Sequence, residues 1–254
     1  MKKLYVCSDI HSYYYPFKEA LDKAGFDENN PDHWIISCGD LFDRGPDSEL
    51  VFEYIMKLER KILVKGNHDN LLWDCCLRCY PYTHDKSNGT VRTINDLGGA
   101  DEGNPFGVCC NNTWNRLARY RELLVKYFET KNYIFVHSWI PTNVDYDNSK
   151  WGSLWKKHSY METWREANEA QWEEALWGNP FNLASQDLNK TGKTIVFGHW
   201  HCSAGHKMLG NCNDEFNYAI WEPCYFKNTI GIDRCTAHTG EVNVLVLEDD
   251  FIES

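Results

Sequence analysis

The stretch Gly39-Asp40-Leu41-Phe42-Asp43-Arg44-Gly45 constrains this chain more than any other. Two carboxylates and a guanidinium fill a glycine-bounded segment directly after Trp34-Ile35-Ile36-Ser37-Cys38, an apolar run that reads as a buried strand. Charges at that density are poor core material. They make sense if the carboxylates face cations and the arginine faces an anion. A fold that accommodates them has to bring further polar groups to the same strand end.

A chain of 254 residues, 43% hydrophobic and 15% aromatic, can bury the core of one large domain or of a domain carrying an insertion. The formal net charge of −11 argues against a nucleic-acid duplex as partner, because such binding needs a basic footprint. Met1-Lys2-Lys3-Leu4-Tyr5-Val6 runs straight into a strand pattern without a secretory apolar region, and no apolar run is long enough to span a bilayer. The expectation is a cytoplasmic protein with no membrane partner and mostly reduced thiols. Cys75, Cys76, Cys79, Cys109 and Cys110 cluster, but only Cys76 and Cys79 have Cys-x-x-Cys spacing. Free or partly buried thiols are therefore favoured over a structural zinc site.

Leu4–Ser8 reads as a first strand and delivers Asp9-Ile10-His11, whose first and third residues share one side if the chain is extended. Tyr13–Ala24 has helical spacing, with Phe17, Ala20, Leu21 and Ala24 on one face. Ser48–Arg60 reads as a second amphipathic helix with Ser48 as its N-cap. Ile62-Leu63-Val64 is a third strand, leading into the loop Gly66-Asn67-His68-Asp69. This alternation predicts a largely parallel sheet with crossover helices, which binds ligands at the carboxyl ends of its strands. Residues 71–130, partly polar and rich in Gly and Asn, read as a helical and loop insertion in a single domain of 1–254, with Trp114–Phe128 helical. Tyr133–Val136 is a strand ending in His137, and Thr194–Phe197 another ending in Gly198-His199-Trp200-His201. Between them, Trp151–Trp177 has Trp164, Asn168 and Trp172 at helical spacing. Asn228–Cys235 and Glu241–Leu247 read as late strands of the same sandwich, joined by a turn at Thr239-Gly240.

Five strand-end loops thus carry Asp9/His11, Asp40/Asp43/Arg44, Asn67/His68, His137 and His199/His201. With these motifs the chain resembles the calcineurin-like metallophosphoesterases. It is most similar to their phosphoprotein-phosphatase branch and to bacterial enzymes related to symmetrical diadenosine tetraphosphate hydrolase. Leu176-Trp177-Gly178-Asn179-Pro180 and Ile232-Asp233-Arg234-Cys235 add to the likeness. The resemblance implies an α/β fold with a central β-sandwich of mixed sheets flanked by helices. It also implies two divalent metal ions, with manganese favoured and iron or zinc compatible with the same ligand types. Asp9 and His11 would hold the first cation, joined by His201 through the Gly-His-x-His form. Asp40 would bridge both, and Asn67, His137 and His199 would complete the second. A hydroxide between the cations would be the nucleophile, Arg44 would receive the phosphate, and His68, oriented by Asp43, would protonate the leaving oxygen.

Some positions depart from the branch pattern. Ser12 stands where the branch has Gly, Asp69 where it has Glu, and after Leu-Trp-x-x-Pro no Arg precedes Gly198, only Lys190 and Lys193. The expected activity is metal-dependent phosphoester hydrolysis, chiefly as a phosphomonoesterase of the serine/threonine protein phosphatase type acting on a phosphorylated protein or small phosphoester. The alternative is a dinucleoside polyphosphate hydrolase or nucleotide phosphodiesterase, towards which Gly-His-x-His leans. A scaffold without catalysis would have lost ligands, and none is missing.

Overall fold

Leu4 and Val6 lie on one side of the first strand and Tyr5 and Cys7 on the other, and all four are fully buried. A strand apolar on both faces needs a layer above and a layer below. The computed structural model, which describes residues 1–78, 80–98, 111–147 and 155–251, supplies both.

In chain order the elements are β1 (Lys2–Cys7), α1 (Tyr14–Ala24), β2 (His33–Ser37), α2 (Ser48–Lys57), β3 (Lys61–Val64), α3 (Asn67–Arg78), α4 (Thr83–Ser87), α5 (Thr90–Gly98) and α6 (Asn111–Arg121). There follow β4 (Leu124–Val125), β5 (Phe128–Glu129), β6 (Tyr133–Phe135), β7 (Thr142–Asp147), β8 (Trp155–Tyr160), α7 (Glu169–Leu176), α8 (Pro180–Ser185) and β9 (Thr194–Phe197). The chain closes with α9 (Cys202–Met208), β10 (Cys224–Phe226), β11 (Thr229–Gly231), α10 (Thr236–Thr239) and β12 (Leu245–Asp249).

One sheet has the order β12-β1-β2-β3-β4, parallel from β1 to β4, with β12 antiparallel at its edge. The other has the order β10-β11-β9-β6-β5, with β11, β9 and β6 parallel and the outer strands antiparallel. Leu4, Val6, Ile36 and Val64 of the first sheet pack with Phe135, Val196 and Ile230 of the second, so the sheets share one core. Tyr5, Cys7 and Ile35 face Phe17, Leu21, Val51 and Ile55 of α1 and α2. On the far side, Ile134, Ile195 and Phe197 face Trp164, Trp172 and Phe181. This is the mixed-sheet sandwich flanked by helices that the sequence implied.

Several expectations change in detail. Asn67 and His68 open α3 instead of lying in a loop. Ser48 is the first residue of α2, not its cap; its hydroxyl meets Ser12 Oγ at 3.1 Å inside the core. The helix expected over Trp114–Phe128 ends at Arg121, and the stretch read as insertion to 130 already re-enters the sheets at Leu124–Val125 and Phe128–Glu129. The helix expected from the spacing of Trp164, Asn168 and Trp172 forms only from Glu169, as α7 capped by Asn168; Trp164 lies in a separate 3-10 turn at Trp164–Glu166, after β8, and Trp151 lies outside the described residues. Trp164 and Trp172 both pack on Tyr127, so core packing and not one continuous helix accounts for their spacing. The two late strands fall in different sheets, linked through α10 and not by a simple turn. Cys75 and Cys76 are buried; Cys79, Cys109 and Cys110 lie outside the described residues. Among the described residues no helix is long and apolar enough to cross a membrane.

Candidate metal centre

The parallel ladder between β1 and β2 continues beyond the strands. Asp9 N donates to Gly39 O at 3.1 Å, His11 N to Asp40 O at 3.0 Å and Ser12 N to Leu41 O at 2.8 Å. This zip sets Asp9 and His11 against Asp40. It also holds an unfavourable backbone: Asp9, His11, Ser12, Asp40, Asp43, Arg44 and His199 all have φ between 50° and 75°. Each such residue costs on the order of 1 kcal/mol or more, which the paired loops and the sheets beneath must offset.

The side chains then converge as acceptors. His11 Nδ1 donates to the Phe42 carbonyl at 2.9 Å, so its Nε2 turns a lone pair towards Asp9 Oδ1 at 3.8 Å and Asp40 Oδ2 at 4.0 Å. His137 Nδ1 donates to the Cys38 carbonyl at 2.8 Å. Its Nε2 therefore faces Asn67 Oδ1 at 2.8 Å, His199 Nδ1 at 3.1 Å and Asp40 Oδ2 at 3.5 Å. Asp9 Oδ2 is occupied by Ser8 Oγ at 2.5 Å and His199 N at 2.9 Å, which leaves Oδ1 for the interior. Asp40 belongs to both acceptor groups, one with His11 and His68, the other with His137 and His199.

Lone pairs gathered this closely with few protons between them repel one another unless cations lie among them, and imidazoles with carboxylates are a divalent-metal donor set. Protonation states agree. Burial, then Arg44, holds His11 well below the ordinary imidazole value. Burial, then His137, takes His199 down to about 3. Burial alone would raise Asp40, but the facing imidazoles of His137, His68 and His11 outweigh it and keep the carboxyl below its usual range. Burial raises Asp9, opposed by His137 and reinforced by Asp40; a nearby cation would reverse that.

His68 lies within reach of the first group, its ring 4.8 Å from that of His11, yet both its nitrogens have other partners. Nδ1 meets Asp43 Oδ2 at 2.8 Å and Nε2 meets Arg44 at 3.3 Å. Burial lowers its basicity, but Asp40 and Asp43 more than compensate, so the net shift is upward. Arg44 is exposed at the rim, where a guanidinium can receive an anion from solvent.

The structure brings nine of the ten expected site residues together: Asp9, His11, Asp40, Asp43, Arg44, Asn67, His68, His137 and His199. His201 is the exception. The strand ends at Phe197 and His199 has φ of 65°, so alternate residues no longer share a side. His201 instead caps α9, with Nδ1 2.7 Å from Ser203 Oγ and its ring against Phe216 and Trp221. The first-metal role given to it above rests on the resemblance alone.

Sequence reasoning missed other groups. Asp69 accepts Gly66 N and the Tyr120 hydroxyl, each at 2.7 Å, and burial followed by Asp40 pushes its carboxyl up to about 6. Ser8 was hidden in plain view beside Asp9. Trp177, weighed only as part of a motif, lies perpendicular to the His199 ring at 6.3 Å, its Nε1 donating to Glu173 at 2.9 Å. It walls an open cleft of about 540 Å³ lined also by Lys156, His158, Ala170, Glu173 and Gly178.

The chain is similar to the symmetrical bis(5'-nucleosyl)-tetraphosphatases of Buchnera aphidicola subsp. Schizaphis graminum, 43% identical over 67 residues (26% of this chain and 24% of that protein). The counterpart from Wigglesworthia glossinidia brevipalpis is 47% identical over 70 residues (27% and 25%). The chain thus spans about a quarter of the length of the curated relatives it matches. Among solved structures, a cold-active protein-tyrosine phosphatase of a psychrophilic Shewanella superposes with a TM-score of 0.56 at 14% identity, over 98% of this chain and 76% of that one. At that identity the likeness speaks for the fold alone. Residues 2–203 match the calcineurin-like phosphoesterase family, and with most of its length inside that match the chain belongs to this family of phosphoester hydrolases.

Proposed function

We propose that the chain is a dimetal hydrolase of bis(5'-nucleosyl) tetraphosphates, with Mn2+ as the preferred ion. The observation that carries the reaction is the shared Asp40 between two acceptor groups, with His68 and Arg44 at their edge. The similarity to symmetrical tetraphosphatases supports the nucleotide substrate over the phosphoprotein. So does the cleft walled by Trp177, the neighbour of His199, whose volume of about 540 Å³ falls in the range that holds small molecules.

Asp9, His11 and Asp40 would hold one cation, and Asp40, Asn67, His137 and His199 the other. The pair, when bound, supplies positive charge against phosphoryl oxygens and makes water acidic enough to attack near neutral pH. The protein's own groups do the rest. Arg44 draws one phosphoryl oxygen to the rim and steadies its charge as it grows. Water, having given up one proton to solvent, adds to phosphorus in line, and the bond to the leaving oxygen breaks on the opposite side. His68 delivers the Nε2 proton to that oxygen while Asp43 keeps Nδ1 protonated and the ring oriented. In the resting arrangement Arg44 faces Nε2, so a phosphate that attracts Arg44 also frees this nitrogen to carry the proton.

A substrate panel with the Mn2+-loaded chain tests the reading. Bis(5'-adenosyl) tetraphosphate should be turned over at least tenfold more efficiently than a phosphothreonine peptide or a bis-aryl phosphate, with two nucleoside diphosphates as products. A phosphopeptide preferred tenfold would reverse the choice of substrate.

A further inference from the structure

We infer that Thr90 is a positioning residue of the hydrolytic site, and that the segment Asn88–Thr93 holds the Asp43–His68 pair and Arg44 in working geometry. The inference rests on the reading of His68 as proton donor.

Asp43 and Arg44 are consecutive non-glycine residues with φ of 75° and 62°. A backbone of this kind persists only where its surroundings impose it. What imposes it here comes largely from the insertion. Arg44 N donates to Asn88 O at 2.7 Å, and Asp43 N to Thr93 Oγ1 at 3.1 Å. Gly89, itself at φ of 81°, lies so close to Arg44 that a Cβ there would come within 2.8 Å of Arg44 N. The Asn88-Gly89 turn is moulded onto the arginine backbone.

Thr90 completes the hold from the side-chain end. Its Oγ1 donates to Asp43 Oδ2 at 2.7 Å, the same oxygen that His68 Nδ1 reaches at 2.8 Å. Asp43 Oδ1 is buried and has no hydrogen-bond partner among the described residues. The rotation of the carboxylate is therefore set by Thr90 and His68 alone among those residues. Thr90 and Thr93 are both fully buried, three residues apart on one face of α5. Helical threonines commonly turn their hydroxyls to their own backbone. These two instead meet Asp43, a residue of a strand-end loop, so the contact is specific to the site.

Without the Thr90 hydroxyl the carboxylate can rotate, and His68 loses the partner that fixes its tautomer and aim. Metal ligands are untouched, because neither Thr90 nor Asp43 is among them. The step that suffers is proton delivery, and poor leaving groups depend on that most.

The test compares wild type, Thr90→Val, Thr90→Ser and His68→Asn, all as Mn2+-loaded full chains, on 4-nitrophenyl phosphate and phenyl phosphate. Metal content is measured alongside. Thr90→Val should keep its metals and its KM within twofold, while its kcat falls at least fivefold more on the phenyl ester than on the nitrophenyl ester. Thr90→Ser should restore the wild-type ratio, and His68→Asn should show the same skew more strongly. If the valine variant does not fold, Thr90→Ala reports the same ratio. A skew in His68→Asn with a wild-type ratio in both Thr90→Val and Thr90→Ala overturns the role of Thr90 and leaves the proton donor standing. No skew in His68→Asn overturns the proton-donor reading and the inference with it.

Discussion

Asp40 Oδ1 accepts the backbone N–H of His68 at 3.0 Å, so one carboxylate both faces the imidazoles and seats the first turn of α3. The approach needs Gly66: a Cβ there would overlap Asp40 Oδ1 and come within 2.5 Å of Asp40 N. Gly66→Ala should therefore separate the β2 and β3 loops. Activity should fall roughly 100-fold or more, because displacements near 1 Å at a reacting centre have that effect. Measured Mn2+ content per chain should fall with it.

Asp40 and His68 should part company when each is replaced. Asp40 lies in both acceptor groups, so Asp40→Asn should lose metal and turnover together. His68 has its nitrogens committed to Asp43 and Arg44, so His68→Asn should keep its metals while kcat falls by roughly 10²–10⁴, the usual range for a general acid. Elemental analysis beside steady-state kinetics reads both. A metal-free His68→Asn protein would make His68 a ligand instead.

What was legible in the sequence follows from how the site is built. Its carboxylates and imidazoles come directly after apolar strands, so an abrupt change from Cys7 to Asp9, or from Cys38 to Asp40, marks each position before any contact is known. The neighbours of His201 were not legible because the rule of alternate residues holds only in extended chain, and His199 turns into the left-handed region first. Thr90 was invisible because its partner lies 47 residues earlier and nothing in a polar, Gly-containing stretch announces that contact. The sheet strand at Leu124–Val125 is too short to carry a pattern; its pairing with β3 is set by the tertiary fold. Trp177 stood out only as part of a motif because exposure cannot be read from composition, and nearly half of it is open to solvent.

Trp177 offers a separate check on the substrate. Its exposed indole lies perpendicular to the His199 ring and lines the cleft, held by Glu173, so that under the proposed function a nucleobase would stack on it. Base-to-aromatic stacking contributes about 1–3 kcal/mol. Trp177→Ala should accordingly raise KM for bis(5'-adenosyl) tetraphosphate by roughly tenfold, from the same stacking energies. KM for 4-nitrophenyl phosphate, which has no base to stack, should move less than twofold. Equal losses on both substrates would show that Trp177 acts by supporting His199.

Asp249 ties the two sheets together away from the site, and its effect should depend on pH. Its Oδ2 accepts Thr130 Oγ1 at 2.7 Å and Asn132 N at 2.8 Å, and its Oδ1 accepts Asn132 Nδ2 at 2.8 Å and Asp250 N at 2.9 Å. Burial alone would raise the carboxyl, but these donors outweigh it, so the folded value lies below the ordinary 3.8. A group depressed on folding contributes stability above its unfolded pKa and loses it as pH falls through the folded one. Asp249→Asn puts an NH2 opposite two donors whichever way the amide is turned, and should cost about 1–3 kcal/mol at pH 7. In urea unfolding of the metal-free chain, that difference should be constant from about pH 7 to pH 5 and shrink below about pH 4, where the wild-type carboxyl takes up its proton. A gap that stays the same down to about pH 3 would mean that side-chain shape, not the charge, carries the contribution.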